Sequence, residues 1–70
     1  MAAIHATMAG TVLQVLVSEG DSVQAGQDVI LLESMKMEVP ISSEQTGIVK
    51  NIRVTVGDFV NDEDVLIELE

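Results

Sequence analysis

Two Gly-Asp-x-Val blocks, Gly20-Asp21-Ser22-Val23 and Gly57-Asp58-Phe59-Val60, sit at the centre of the same succession of Val-rich segments. This internal repeat limits what the chain can fold into more than any other feature. The first copy begins Gly10-Thr11-Val12 and runs through Val15 and Val17 to Asp28-Val29-Ile30-Leu31. The second begins Gly47-Ile48-Val49 and runs through Ile52 and Val54 to Asp64-Val65-Leu66-Ile67. The spacing is 37 residues up to the Gly-Asp blocks. Matching Asp28 with Asp64 makes it 36 afterwards, which predicts one residue lost from a loop of the second copy. Chance likeness between two Val-rich stretches would not keep both blocks in register.

Each copy reads as strand, turn, short strand, turn, strand. Val12 to Val17 and Val49 to Val56 are rich in β-branched residues, and the Gly-Asp pairs that follow them are turn signals. Val29 to Leu32 and Val65 to Leu69 read as compact buried strands. No segment carries an apolar stripe at helical spacing. Pro40 lies in a strand-like stretch, which suggests an edge strand or a strand end.

Two copies make about eight short strands. Two pseudo-symmetric four-stranded sheets packed face to face bury one side of every strand and leave few open edges. The expected fold class is therefore all-β, a flattened β-barrel or barrel-sandwich, with residues 1–70 as one domain. In that arrangement the turn after Glu33 is pseudo-equivalent to the junction of the two termini. Lys36 should then project from the end of the molecule opposite both termini.

Composition supports a closed aliphatic fold. A chain of 70 residues buries a modest core. It has no Cys for disulfides or thiolate metal sites, and a lone His5 cannot build a zinc site. No metal is expected. Phe59 is the sole aromatic residue, so base-stacking platforms are missing. The formal net charge of −9, with Lys36, Lys50 and Arg53 as the basic residues, makes nucleic acid and anionic membrane poor partners. A basic face on a partner protein suits this surface better. The sequence shows neither a signal segment nor a long apolar run, so the expected location is cytoplasmic.

The candidate site is Glu33-Ser34-Met35-Lys36-Met37-Glu38, at the join of the two copies. Strand alternation would put Met35 and Met37 on one face and Lys36 on the other. On that basis the methionines could simply fill gaps in the core, with Lys36 as an ordinary surface residue.

Here the chain resembles the biotinyl domains of biotin-dependent carboxylases, over nearly its whole length. The likeness rests on Met35-Lys36-Met37, the preceding Val29-Ile30-Leu31-Leu32-Glu33 strand, the two Gly-Asp-x-Val turns and the trailing Gly47-Ile48-Val49 strand. It implies two four-stranded sheets with a lysine at a hairpin tip, and that this lysine, Lys36, carries biotin in amide linkage. Met35 and Met37 would form the flanking recognition motif. The implied partners are a biotin protein ligase, a biotin carboxylase and a carboxyltransferase, and the domain itself would be non-catalytic. A ligase delivers an activated acyl group, so Lys36 needs exposure and a fixed position rather than reactivity of its own.

The chain departs from the family pattern in two places. Ala6-Thr7-Met8-Ala9-Gly10 stands where the family often has Ala-Pro-Met-x-Gly, and Glu63 stands where Gly is common. The thumb-like insertion and Pro/Ala-rich linker of some larger relatives do not appear, which points to the bare, stand-alone module. Lipoyl domains share the fold but usually have an acidic residue directly before the lysine and lack the Met pair, so Met35 and Met37 favour biotin over lipoate. A third reading, from a different class, is an unmodified acidic β-module that binds protein partners.

Other residues suggest plainer roles. His5 lacks a nucleophile or paired carboxylate for catalysis, so no catalytic residue is expected. Asp21 and Asp58 should cap their turns through side-chain to backbone hydrogen bonds. Asp62-Glu63-Asp64 reads as a solvated turn rather than a cation loop. Lys50 and Arg53 should be solvent-facing strand residues.

Overall fold

The computed structural model describes residues 2–70; Met1, where the expected domain begins, lies outside them. Eight strands follow one another: β1 (Ala2–His5), β2 (Gly10–Val15), β3 (Ser22–Val23), β4 (Asp28–Ser34), β5 (Met37–Ser42), β6 (Gly47–Ile52), β7 (Phe59–Val60) and β8 (Val65–Leu69). They form two four-stranded sheets, ordered β1-β8-β6-β3 and β5-β4-β2-β7, with every pairing antiparallel. This is the barrel-sandwich that the repeat calls for. Pro40 lies in β5, an edge strand, where its missing N–H leaves no ladder bond unmade.

The core is aliphatic throughout. Val12, Val23, Val29, Ile30 and Leu32 from the first repeat meet Val49, Val60, Leu66, Ile67 and Leu69 from the second, all fully or almost fully buried. Phe59 contributes little to it, being 65% exposed.

The loss of one residue expected in the second copy does not occur. Strands β2 and β6, β3 and β7, and β4 and β8 all begin 37 positions apart. The counterpart of Asp64 is Gln27, not Asp28. Asp64 Oδ2 accepts from the Asn61 N–H at 2.8 Å, and Gln27 Oε1 accepts from the Gln24 N–H at 3.1 Å. The two turns therefore use different acceptors for the same bond.

Each repeat also completes the other. The Gly20 N–H donates to the Val49 carbonyl, and the Gly57 N–H donates to the Val12 carbonyl, both at 2.8 Å. The Gly26 N–H donates to Ser43, and the Glu63 N–H donates to Ala6, by the same exchange. Backbone groups at the turns of one half are thus satisfied by the other half.

This arrangement places the ends of the molecule. Strand β5 runs away from the β4–β5 turn, and the following segment enters β6 at Gly47, beside Leu69 and Glu70. Ala2 pairs with Leu69 there. The described chain ends therefore lie at the pole opposite the Lys36 turn, as expected. Strand β7 brings Val60 beside Gly10, so the Asn61–Asp64 turn lies at the Lys36 pole.

Candidate functional site

The β4–β5 hairpin closes on two residues. Ser34 pairs with Met37 and Glu33 pairs with Glu38, leaving Met35 and Lys36 as the turn. Both have positive φ, 53° for Met35 and 64° for Lys36. Two consecutive left-handed residues make a type I′ turn, whose twist matches that of antiparallel strands. Asn-Gly is the sequence that adopts it most readily. A left-handed conformation costs an ordinary L-residue about 1–2 kcal/mol, so the tip retains a conformation its own residues disfavour. The register of β4 against β5 and β2 imposes it.

The base of the hairpin is tightly held. Leu32, two residues before the Ser34–Met37 pair that closes the turn, is fully buried. Across the strand pair, a Cβ on Gly10 would come within 2.6 Å of the Glu33 carbonyl oxygen. Glycine thus lets β2 approach β4 closely just beneath the tip.

The two methionines do not fill the core. Met35 is 92% exposed and Met37 65% exposed. Nor do they share a face opposite Lys36, because Met35 lies in the turn, where period-2 alternation no longer holds. Lys36 is exposed beside Met35, and no hydrogen bond or ion pair holds its ammonium among the described residues. The tip thus presents one long flexible amine between two exposed thioethers on a fixed backbone.

The remaining candidates have structural roles. His5 is exposed at the end of β1, beside a bulge. Asp21 Oδ2 accepts from the Ser18 N–H, and Asp58 Oδ2 accepts from the Thr55 N–H, each at 2.9 Å, so both cap turns as expected. Glu63 adopts a φ of 70° within its turn, matching 90° at Gly26. Among the described residues, no group of three His, Asp or Glu is placed to hold a metal. Lys50 lies exposed on β6, whereas Arg53 lies just past that strand and pairs with Glu68 at 2.9 Å. The Asn51 amide and the Arg53 guanidinium hold the Glu68 carboxyl below its usual range. Sequence reasoning did not bring these three residues together, because their pairing depends on the register of β6 with β8. It also missed the exposure of Phe59.

Comparison with known proteins bears on this hairpin. A family model described as "Biotin-requiring enzyme" matches residues 2–69. The biotin/lipoyl attachment protein of Bacillus subtilis (strain 168) is 53% identical over 62 residues, covering 89% of this chain and 85% of that protein. The biotinylated protein TB7.3 homolog of Mycobacterium leprae is 43% identical over 63 residues, covering 90% and 89%. The likeness extends to a dihydrolipoyllysine-residue acetyltransferase component of the pyruvate dehydrogenase complex in Pseudomonas aeruginosa, 43% identical over 61 residues, which covers 87% of this chain and 11% of that protein. Among solved structures, the Kluyveromyces lactis urea carboxylase superposes with a TM-score of 0.92 at 28% identity, over 99% of this chain and 6% of that one.

Proposed function

The chain belongs to the biotin/lipoyl attachment family of biotin-requiring enzymes, and from that premise we propose that it is a biotin carboxyl carrier whose Lys36 takes the biotin. The observation that carries this reading is the tip itself. Lys36 is the second residue of a type I′ turn, exposed and without a partner among the described residues, with exposed Met35 and Met37 on either side. A surface lysine chosen for solubility alone would not require two strained residues.

The chemistry of attachment, as distinct from its recognition, needs little from this chain beyond position. The Lys36 amine attacks the acyl carbonyl of a biotinyl adenylate, forming the amide as the acyl–phosphate bond breaks, and AMP and a proton are released. A biotin protein ligase supplies the activation. Bound biotin supplies a ring that can take up a carboxyl group at a biotin carboxylase and give it up at a carboxyltransferase. This chain fixes where the tether begins and raises local concentration to roughly the millimolar range of a short flexible linker. Lipoate on the same lysine is the second reading, favoured by the similarity to the acetyltransferase component. The Met pair supports biotin.

Intact mass after incubation with biotin ligase, and separately with lipoyl ligase, tests the proposal. One biotinyl addition is expected, lost in Lys36→Arg, with an unchanged melting curve. Lipoyl addition alone, or biotin on Lys50, would overturn it.

A further inference from the structure

The two repeats serve as each other's control. Positions 37 apart share a strand and a backbone, so a polar residue at one of them shows that the strand alone does not require an exposed apolar residue at the other. Phe59 is 65% exposed in β7, where its counterpart in β3 is Ser22. Val65, 37% exposed, opens β8 as Asp28 opens β4. The first repeat shows that serine and aspartate serve these strands. Phe59 and Val65 line one surface groove with Val54, Asp58 and Asp64. Arg53 also borders it, but its guanidinium is bound to Glu68.

The groove lies near the tip. Thr11 pairs with both Phe59 and Glu33, and Glu33 pairs with Glu38. Directly paired residues point to the same side of a sheet. Phe59, Thr11, Glu33 and Glu38 therefore form one row across the outer face, one step back from the Ser34–Met37 pair that closes on Lys36. Two strand spacings separate Phe59 from Glu33, about 10 Å.

We propose that the Phe59–Val65 groove is a docking surface for the biotin protein ligase, which presents an apolar side chain ringed by Lys and Arg. The inference rests on Lys36 being the biotinylated residue. Before modification there is no biotin here for an enzyme to grip, so the ligase must find protein surface near the lysine. An aromatic anchor at a fixed place on the same sheet meets that need. The carboxylates of Glu33, Glu38, Asp58 and Asp64, within a chain of net charge −9, call for a basic rim on the partner. The same charge opposes a second copy as the occupant.

The test is kcat/KM for biotinylation by a biotin protein ligase, followed by intact mass at several salt concentrations. Phe59→Ser, which installs the residue of the other repeat, should lower kcat/KM by about tenfold, chiefly through KM. Phe59→Leu should recover most of the loss. Ile48→Thr, which installs the residue of its own counterpart Thr11 on the other sheet, should behave as wild type. Wild-type kcat/KM should fall as salt rises. Melting curves check that each variant is folded, and should Phe59→Ser unfold, Val65→Asp carries the same expectation. Biotinylation of wild type together with unchanged kcat/KM in folded groove variants would overturn the groove alone. A wild-type chain left unmodified would overturn the reading of Lys36 itself.

Discussion

Gly26 and Glu63 occupy the same place in the two repeats, and both hold left-handed backbone, at φ 90° and 70°. Nothing lies within 4 Å of a Cβ built on Gly26, so conformation rather than space separates the two positions. Gly26→Ala should therefore cost about 1 kcal/mol, close to the intrinsic penalty. Glu63→Gly removes that penalty but gains unfolded-state entropy, worth about 0.4–1 kcal/mol. Its melting temperature should be level with wild type or a few degrees higher. A clear loss in calorimetry would show that the Glu63 side chain stabilises the turn.

A second pair of matched glycines should behave differently. Ala at Gly10 would press its Cβ against the Glu33 carbonyl at 2.6 Å, whereas Ala at Gly47 would meet Leu69 at an ordinary 3.4 Å. Gly10→Ala is expected to lose about 2 kcal/mol by overpacking. Gly47→Ala should remain within about 0.5 kcal/mol of wild type. Urea unfolding of the two variants measures this directly, and equal losses would contradict the geometry.

Stability and recognition should separate at the tip. Asn tolerates the first position of a type I′ turn far better than Met. Met35 is 92% exposed, so replacing it leaves no cavity. Met35→Asn should raise the melting temperature by a few degrees, since about 1 kcal/mol corresponds to about 4–8 °C in a domain of this size. It should also slow biotinylation. A variant that is both more stable and equally well modified would show that the methionine has no part in recognition.

Acid should weaken one surface cluster in particular. Asn51 and Arg53 favour the charged form of Glu68 in the folded chain, so its carboxyl lies below the ordinary range there. The unfolded chain then takes up that proton first, and stability rises with pH across the interval between the two values. The contribution is present above the ordinary carboxylate range and is lost as pH falls through the folded value. Wild type should melt above Glu68→Gln at pH 7, and the gap should close in acid. A gap that persists at low pH would assign the difference to packing.

The repeat, the turn signals and the Met-Lys-Met join were enough to place the strands and the lysine. Other features depend on pairing that no single segment reveals. Asp28 and Asp64 look alike, yet the true match is Gln27 with Asp64, because two different side chains accept the same backbone hydrogen bond. Alternation suggested a shared face for Met35 and Met37. It fails because the Ser34–Met37 pairing puts Met35 in the turn, and no Asn-Gly signals that turn. The exposure of Phe59 follows from its place on a two-residue edge strand, which the sequence alone does not reveal.

The exchanged hydrogen bonds, Gly20 to Val49 and Gly57 to Val12, have the layout of an isologous interface, in which patch i meets j and j meets i. The molecule follows the plan of a twofold dimer whose subunits share one chain. Such a plan needs a single covalent seam between its halves. That seam is Met35-Lys36, the stretch between β4 and β5. Lys36 thus sits where the twofold plan must break, and a doubled body carries a single such turn.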